Sequence, residues 1–351
     1  MAKRKAATPA DAPTIEHVRA NKVYGQLAGA KRDRAERLAE TKRIFGDRVV
    51  AVDLHTHSNY SDGKGTIEQN REAALNAGLD FVFATDHKGR RHKRSALRFE
   101  NMSWGQEPGS RGHHIGVLCN SETLKPKGED FVEDFETAKS IAPFAWIPHP
   151  AGWYPRMKYT QEQLDILWRV GPEFAMEALN AAGKIESAYD SFDETAIAVW
   201  DRLLCDGRRV TPVGGSDAHV PEGIGTVWTV ALDCDPAADS IIDALNAGRC
   251  QATEASLLDL RQDGHPMGAA VQVKKGEPVR FSFRAADAWG LQCVRIVSGG
   301  KARKTLYPRD ETLVAGEWTI RPRSDTYVRL ESRAVDNRRA FSAPIYLEVQ
   351  G

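Results

Sequence analysis

Short apolar segments alternate with helical segments from residue 49 to about residue 250, and this alternation restricts the choice of fold. Thr66 and Gln69 have the spacing of a helix capping box, Gly78 is at the position of a C-terminal cap, and residues 191–194 repeat the box. The apolar segments are RVVAVDLHTH, LDFVFATDH, HIGVLCNSE, FAWIPHP, FAMEALN and RVTPVGGSDAH. This order predicts βαβ units, and strands that are apolar almost throughout indicate a buried parallel sheet.

The flanking regions have different patterns. Residues 1–48 are predicted to be an N-terminal extension, disordered over 1–13 and then helical, with twelve Lys and Arg against six Asp and Glu. Such a helix either packs on the outside of the domain or forms an arm for nucleic acid. After residue 263, segments such as PVRFSFRAAD alternate strictly between apolar and polar residues. We therefore predict one domain over 49–255 and a small antiparallel, β-sandwich-like domain over 263–351.

Composition argues against several classes of partner. The 48 basic and 48 acidic residues balance, so no overall field attracts nucleic acid or a membrane. No apolar stretch approaches the roughly 20 residues of a membrane helix, and no hydrophobic segment follows the basic start. The five cysteines lack a C-x-x-C pair, which is typical of reduced thiols. A cytoplasmic location is expected, and a homo-oligomer is left open.

Each predicted strand ends in side chains that can bind a metal. His55 and His57 are two residues apart, so both side chains point to the same side of an extended chain. The carboxyl ends of parallel strands share one edge, so the following residues are expected to converge there: His55, His57, Asp62, Asp86, His87, Glu122, His149, Glu177, Asn180, Asp217 and His219. Nitrogen and carboxylate ligands without cysteine suit Zn²⁺, Mn²⁺ or Fe²⁺. So many candidates predict two to three divalent ions with a bridging carboxylate.

These motifs resemble those of the polymerase-and-histidinol-phosphatase (PHP) superfamily over residues 49–235. The resemblance rests on DLHTHSNYSDG, FATDH, Glu122, PHP at 148–150 and GGSDAH at 214–219. The ending RAFSAPIYLEV is similar to the CehA/McbA-type branch, in which a small β unit follows the barrel. The resemblance implies an α/β fold: a distorted (β/α)7 barrel with a C-terminal antiparallel β unit.

The resemblance also implies three metal positions. His55, His57, Glu122 and Asp217 would hold one ion, Glu122 and His149 a second, and Asp62, His87 and His219 a third. In some members a histidine stands one residue after Asp62, at the position of Gly63 here. The second ion's other histidine has no clear equivalent after residue 150. Glu177 or Asn180 would serve there as a ligand, a partner of a ligand or a substrate contact.

The expected function is hydrolysis of a small phosphate monoester or diester by a metal-bridged hydroxide. Asp217 or His219 would pass a proton to the leaving group. Arg90 and Arg91 lie in HKGRRHKR and either bind the phosphate or belong to a solvated loop. Arg111, His113 and His114 are predicted to be surface or strand-entry residues, and Trp146, Trp153 and Tyr154 either line the pocket or pack in the core. The alternatives are a carboxylic or carbamate ester hydrolase, a nuclease, which the neutral charge disfavours, and a non-catalytic metal-binding module.

Overall fold

The structure, a computed structural model, describes residues 31–46, 48–110, 112–153, 157–182, 184 and 189–350. Predictions for residues 1–13, Arg111 and Tyr154 lie outside these ranges. The helices are α1 (Lys31–Phe45), α2 (Ile67–Asn76), α3 (Lys93–Ala96), α4 (Phe131–Ile141), α5 (Gln161–Asp165), α6 (Ser191–Cys205) and α7 (Ala238–Asn246). None of these helices is long and apolar enough to cross a membrane.

Seven of the first nine strands form one side of a large sheet. These strands are β1 (Val49–Asp53), β2 (Phe81–Ala84), β3 (Met102–Gln106), β4 (Gly116–Leu118), β5 (Phe144–Ile147), β8 (Glu173–Asn180) and β9 (Arg209–Gly215), with a separate hairpin of β6 (Gly152–Trp153) and β7 (Met157–Lys158). β1, β2 and β3 are parallel, as are β5, β8 and β9. β4 is antiparallel to both β3 and β5. The predicted all-parallel sheet is therefore wrong at β4, and the fold is mixed α/β.

The strand pairing in the described ranges does not close a (β/α)7 barrel. The sheet ends at β9, which does not pair with β1. Instead, β1 pairs with β2 on one side and antiparallel with β10 (Trp228–Leu232) on the other. An isolated parallel bridge between Thr56 and Ala218 joins the segments that follow β1 and β9. The carboxyl ends of these two strands therefore lie side by side, although their ladders are not continuous.

The remaining strands form the C-terminal region. They are β11 (Cys250–Thr253), β12 (Leu257–Gln262), β13 (Ala270–Lys274), β14 (Val279–Ala286), β15 (Leu291–Ser298), β16 (Lys301–Leu306), β17 (Leu313–Ile320), β18 (Thr326–Ala334), β19 (Arg339–Ser342) and β20 (Ile345–Gln350). β12, β14 and β17 make a separate antiparallel sheet, whereas β11 pairs with β19 and continues the large sheet. The pairing is antiparallel as predicted, except that β13 runs parallel to β20. The division at 255 and 263 stays a prediction.

Local sequence signals explain how the helices begin. The Thr66 side chain accepts a hydrogen bond from the Gln69 amide, and Gln69 caps the Thr66 amide in return, as the capping box predicts. The second box starts one residue earlier than predicted, because Asp190 rather than Ser191 is the N-cap of α6. Gly78 has a φ of 83°, which suits glycine after a helix.

Helix α1 packs against the C-terminal strands rather than standing in solvent. The Arg37 guanidinium is buried between Asp287, at 2.8 Å, and Asp336, at 2.7 Å. The Arg284 guanidinium lies over the ring of Phe45, 4.9 Å from its centre. Over residues 31–45, these contacts favour the packed helix over the nucleic-acid arm.

Candidate metal centre

A buried carboxylate that the sequence analysis did not select, Glu107, lies at the centre of the site. It directly follows β3, and its side chain is 1% exposed. Five imidazoles surround it: His114 and His149 lie 2.8 and 2.9 Å from Oε1, and His87, His55 and His57 lie 3.1, 3.4 and 3.5 Å from Oε2. Glu107 therefore contacts side chains delivered by β1, β2, β5 and the start of β4.

The predicted histidine pair and Asp217 form the inner group. His55 Nε2 and His57 Nε2 are 3.1 Å apart, and Asp217 Oδ1 lies 3.4 and 3.2 Å from them. The backbone fixes this arrangement, since the Asp217 amide donates to the His55 carbonyl and the His57 amide donates to the Ala218 carbonyl. His149 and Asp217 have φ values of 28° and 51°, and such left-handed backbone is concentrated at functional sites.

A second, more exposed group opens the site to solvent. Asp62 Oδ2 lies 3.4 Å from His87 Nε2 and 3.3 Å from His219 Nε2. The ring of His57 connects the two groups, 4.3 Å from the ring of His219 and 4.5 Å from that of His87. The structure therefore brings together seven of the eight predicted metal ligands: His55, His57, Asp62, His87, His149, Asp217 and His219.

The eighth predicted ligand, Glu122, is not brought into this cluster, and its metal-binding role stays a prediction. Glu122 is exposed and belongs to none of the described groups that can hold a metal. Because β4 is antiparallel to its neighbours, its beginning rather than its end reaches the edge where β3 and β5 end. His114, predicted to be a surface or strand-entry residue, precedes β4 and contacts Glu107 instead.

The residues present fit divalent cations. Three adjoining groups have ligand atoms close enough for an ion: His57, Asp62, His87 and His219; His55, His57 and Asp217; and His87, Glu107 and His114. Glu107 Oε2 is buried and has no hydrogen-bond partner among the described residues. A buried carboxylate oxygen that accepts no hydrogen bond is costly even beside three imidazoles, and a bound cation would neutralise it. The cluster is therefore able to bind metal.

The acids and imidazoles of the cluster shift one another's pKa values. Burial alone would raise the pKa of Glu107, but the charges of His55 and His114 hold it well below its usual range. Burial would lower the pKa of His87, yet Glu107 and Asp62 raise it to about 9. Each shift favours the charged form through an opposite charge. Because a histidine binds a metal only as the neutral imidazole, a bound cation would displace the proton of His87 and take over its role beside Glu107.

Glu177 is buried and is hydrogen-bonded to the candidate ligands His55 and His149. Its Oε1 lies 2.8 Å from His55 Nδ1 and accepts from Trp146 Nε1 at 3.2 Å. Its Oε2 accepts from the His149 amide at 2.8 Å and from Asn180 Nδ2 at 2.6 Å. With both oxygens occupied, this bonding favours an orienting role for Glu177 and Asn180 over the predicted substrate contact.

We expect Glu177→Gln to weaken metal binding by about 10–100-fold, the usual effect of removing a partner of a metal-bound histidine. Competition with a metallochromic chelator measures the affinity. Glu173→Gln is the matched control, because Glu173 starts the same strand but is exposed and pairs with Arg209 at 3.4 Å. Equal affinities for the two variants would contradict the orienting role.

Two other predicted candidates, Asp86 and Arg90, form hydrogen bonds that hold the loops around the site. Asp86 accepts from the Ser58 amide and hydroxyl and from Ser61 Oγ, so it holds the loop after β1. Arg90 Nη1 donates to the carbonyls of Asn120 and Ser121, which commits it to the loop after β4, and Arg91 is exposed. The predicted phosphate contact through Arg90 is therefore disfavoured.

Close backbone approach explains two glycines near the site. A Cβ atom at Gly63 would lie 2.3 Å from the His57 carbonyl oxygen, so the loop can fold back only with glycine there. A Cβ atom at Gly215 would lie 2.6 Å from the His55 Cβ atom. Both glycines allow the chain to pass directly beside the histidine pair.

The two tryptophans near His149 have different positions. Trp146 is fully buried in the core, where it donates to Glu177. The ring of Trp153 is half-buried, 5.3 Å from the ring of His114 and 5.1 Å from that of His149. Trp153 therefore forms a wall of the site, whereas Trp146 lies in the core and supports the site through Glu177.

Comparisons with known proteins add a family match. Residues 203–250, which include Asp217 and His219, match the model of a PHP-associated family. No curated protein matches the sequence. The match concerns this segment alone, and the CehA/McbA-type branch stays a prediction.

Several solved structures are similar to this chain. One is a two-domain protein containing a predicted PHP-like metal-dependent phosphoesterase from Bacteroides vulgatus, 19% identical, covering 86% of this chain and 95% of that chain with a TM-score of 0.45. Another is the lesion-specific endonuclease PfuEndoQ from Pyrococcus furiosus, 18% identical, covering 57% and 56% with a TM-score of 0.40. A third is an amidohydrolase from Chromobacterium violaceum, 17% identical, covering 49% and 89% with a TM-score of 0.36.

Proposed function

We propose that this protein is a metal-dependent phosphoesterase that hydrolyses a small phosphate monoester or diester. The observation that carries the proposal is the set of three adjoining ligand groups around Glu107, in which His57 and His87 are each shared by two groups. Groups this close would hold two or three divalent ions, of zinc, manganese or iron, side by side. Several clustered charges match the several oxygens of a phosphoryl group, whereas a carbonyl offers only one.

Each group of residues has a role in this proposal. Divalent ions bound at the cluster would supply Lewis-acid charge and activate water near neutral pH. On the buried side of the cluster, ions would be held by Glu107, His55, His57 and Asp217. On the solvent-exposed side, an ion would be held by Asp62, His87 and His219. Asp217 is nearly buried and engaged by both inner histidines, whereas the His219 side chain is 40% exposed. Of the two, His219 is therefore the side chain closer to a leaving group at the opening.

A substrate panel tests the reaction type. p-Nitrophenyl phosphate, bis-p-nitrophenyl phosphate, nucleotides and p-nitrophenyl acetate are assayed side by side with Mn²⁺ or Zn²⁺, with and without chelator. We expect chelator-sensitive hydrolysis of a phosphate ester, lost in Asp217→Asn. Turnover of the acetate alone would favour the carboxylic or carbamate ester hydrolase, and no turnover in a metal-loaded protein would favour the non-catalytic module.

Metal content is a separate prediction. We expect two to three divalent ions per chain after metal-replete purification, because the three ligand groups adjoin without requiring a rearrangement. Elemental analysis measures the content, and His57→Ala should lower it, since His57 belongs to two groups. Less than one ion per chain in the unmodified protein would contradict the proposed centre.

A further inference from the structure

Three arginines outside the metal centre share one face of the C-terminal sheet. Arg333 on β18 is directly opposite Arg339 on β19, and Cys293 on β15 is directly opposite Arg333 from the other side. Arg295 is two residues beyond Cys293 on β15. Directly opposed residues, and residues two apart on a strand, lie on the same face of a sheet. We call Arg295, Arg333 and Arg339 the arginine face.

Two members of the arginine face, Arg333 and Arg339, have no acidic partner in the part of the chain that the structure describes. No described carboxylate lies within ion-pair distance of the Arg333 or Arg339 guanidinium. Glu331, the acid beside them on β18, is already held by the buried Arg329 at 2.8 Å and by Arg295 at 3.7 Å. Like charges directly opposite each other destabilise a strand pair, so Arg333 and Arg339 oppose the pairing of β18 with β19.

The two guanidinium groups are also partly removed from water. Both side chains are half-buried, and their Nε atoms are buried without a hydrogen-bond partner among the described residues. Burial and the charges of Arg339 and Arg295 lower the pKa of Arg333. Arg339 lies over the ring of Tyr189, 4.7 Å from its centre, which offsets part of its own charge. Arg333 has no such contact in the described ranges.

We propose that Arg333 and Arg339, with Arg295 beside them, bind a phosphate-like oxyanion. A tetrahedral oxyanion accepts several hydrogen bonds at once, and planar guanidinium groups donate them in pairs with matching geometry. A bound anion would turn the repulsion between the opposed arginines into shared attraction. The site uses no residue of the metal centre, so it does not depend on the proposed hydrolysis.

Inorganic phosphate is the probe, and thermal unfolding of the full chain is the measurement. We expect phosphate to raise the melting temperature saturably, beyond the effect of sodium chloride at equal ionic strength. His57→Ala should keep this response, which separates it from phosphate bound at the metal centre. Arg333→Gln should abolish the response. In phosphate-free buffer, the melting temperature of Arg333→Gln should be no lower than that of the unmodified protein, because the variant removes the repulsion between Arg333 and Arg339. Arg280→Gln, a change at an exposed arginine on β14, is the control and should respond normally.

Two outcomes would overturn the site. One is a phosphate response that Arg333→Gln and Arg339→Gln leave intact, and the other is no response beyond that of sodium chloride. If Arg333→Gln fails to fold, Arg333→Lys keeps the charge but loses the planar pair of donors. This variant should bind phosphate about tenfold more weakly by isothermal titration, the loss expected from one charge-assisted hydrogen bond. Full affinity in Arg333→Lys would also contradict the proposal.

Discussion

Replacing Glu107 with glutamine should abolish metal-dependent hydrolysis and reduce bound metal to less than half. Glu107 contacts five imidazoles from both sides of the cluster, and its Oε2 has no other partner in the described ranges. Glutamine keeps the shape but removes the negative charge that balances the cations. We expect kcat to fall by at least about a hundredfold, as when an electrostatic group of an active site is removed. Elemental analysis and hydrolysis of the substrate found in the panel measure both effects.

Glu122→Gln is the matched control for this experiment. Both changes neutralise a glutamate close to β4, but Glu122 is exposed and outside every described ligand group. Metal content and activity should be unchanged in Glu122→Gln, and circular dichroism should show that both variants fold. If Glu122→Gln lost metal while Glu107→Gln kept it, the sequence-based ligand set would be right and the arrangement around Glu107 wrong.

The contrast between Glu107 and Glu122 shows what the sequence could predict about the site. His55, His87, His149 and Asp217 converge as predicted because each follows a strand that ends at the same edge, a rule that needs only strand order and direction. Glu107 was missed because β3, MSWGQ, is neither continuously apolar nor β-branched. The antiparallel direction of β4 could have been predicted from the length of the segment before it. Residues 107–115 are fewer than the dozen or so that a parallel crossover needs.

The C-terminal strands illustrate a different limit. Their two-residue period predicted which faces are buried, and Phe281 and Phe283 are indeed buried on one face of β14. The pairing of β19 with β11, which joins these strands to the large sheet, links positions about 90 residues apart through main-chain hydrogen bonds. Main-chain hydrogen bonds carry no residue preference strong enough to identify partners across that distance. Periodicity therefore predicted the faces of the strands and not their neighbours.

Replacing Arg37 with alanine should cause a large loss of stability at a position outside the metal centre. The Arg37 guanidinium is buried, donates to both oxygens of Asp287 and to Asp336, and lies over the ring of Trp289 at 4.2 Å. Removing one partner of a buried ion pair leaves uncompensated charge, which costs about 3–5 kcal/mol. Here Asp287 would lose its arginine, Asp336 would keep Arg338 at 3.1 Å, and α1 would lose its main polar contact with the C-terminal strands. Chemical denaturation measures the change in the free energy of unfolding.

Arg43→Ala is the control for Arg37→Ala, because Arg43 lies on the same helix but is exposed and pairs only locally with Glu40. We expect it to change stability by less than about 1 kcal/mol.

The contribution of the buried ion pair to the free energy of unfolding should also depend on pH. Burial opposes ionisation of Asp336, but Arg37 and Arg338 hold its pKa below the ordinary value of 3.8. A carboxyl with a lowered pKa stabilises the fold above its unfolded-state pKa and loses that contribution as the pH falls through the folded-state pKa. The stability gap between the unmodified protein and Arg37→Ala should therefore be full at pH 7 and narrow below about pH 4. A gap that stayed constant from pH 7 into acid, or an Arg37→Ala variant as stable as Arg43→Ala, would show that the buried ion pair does not anchor α1 to the C-terminal strands.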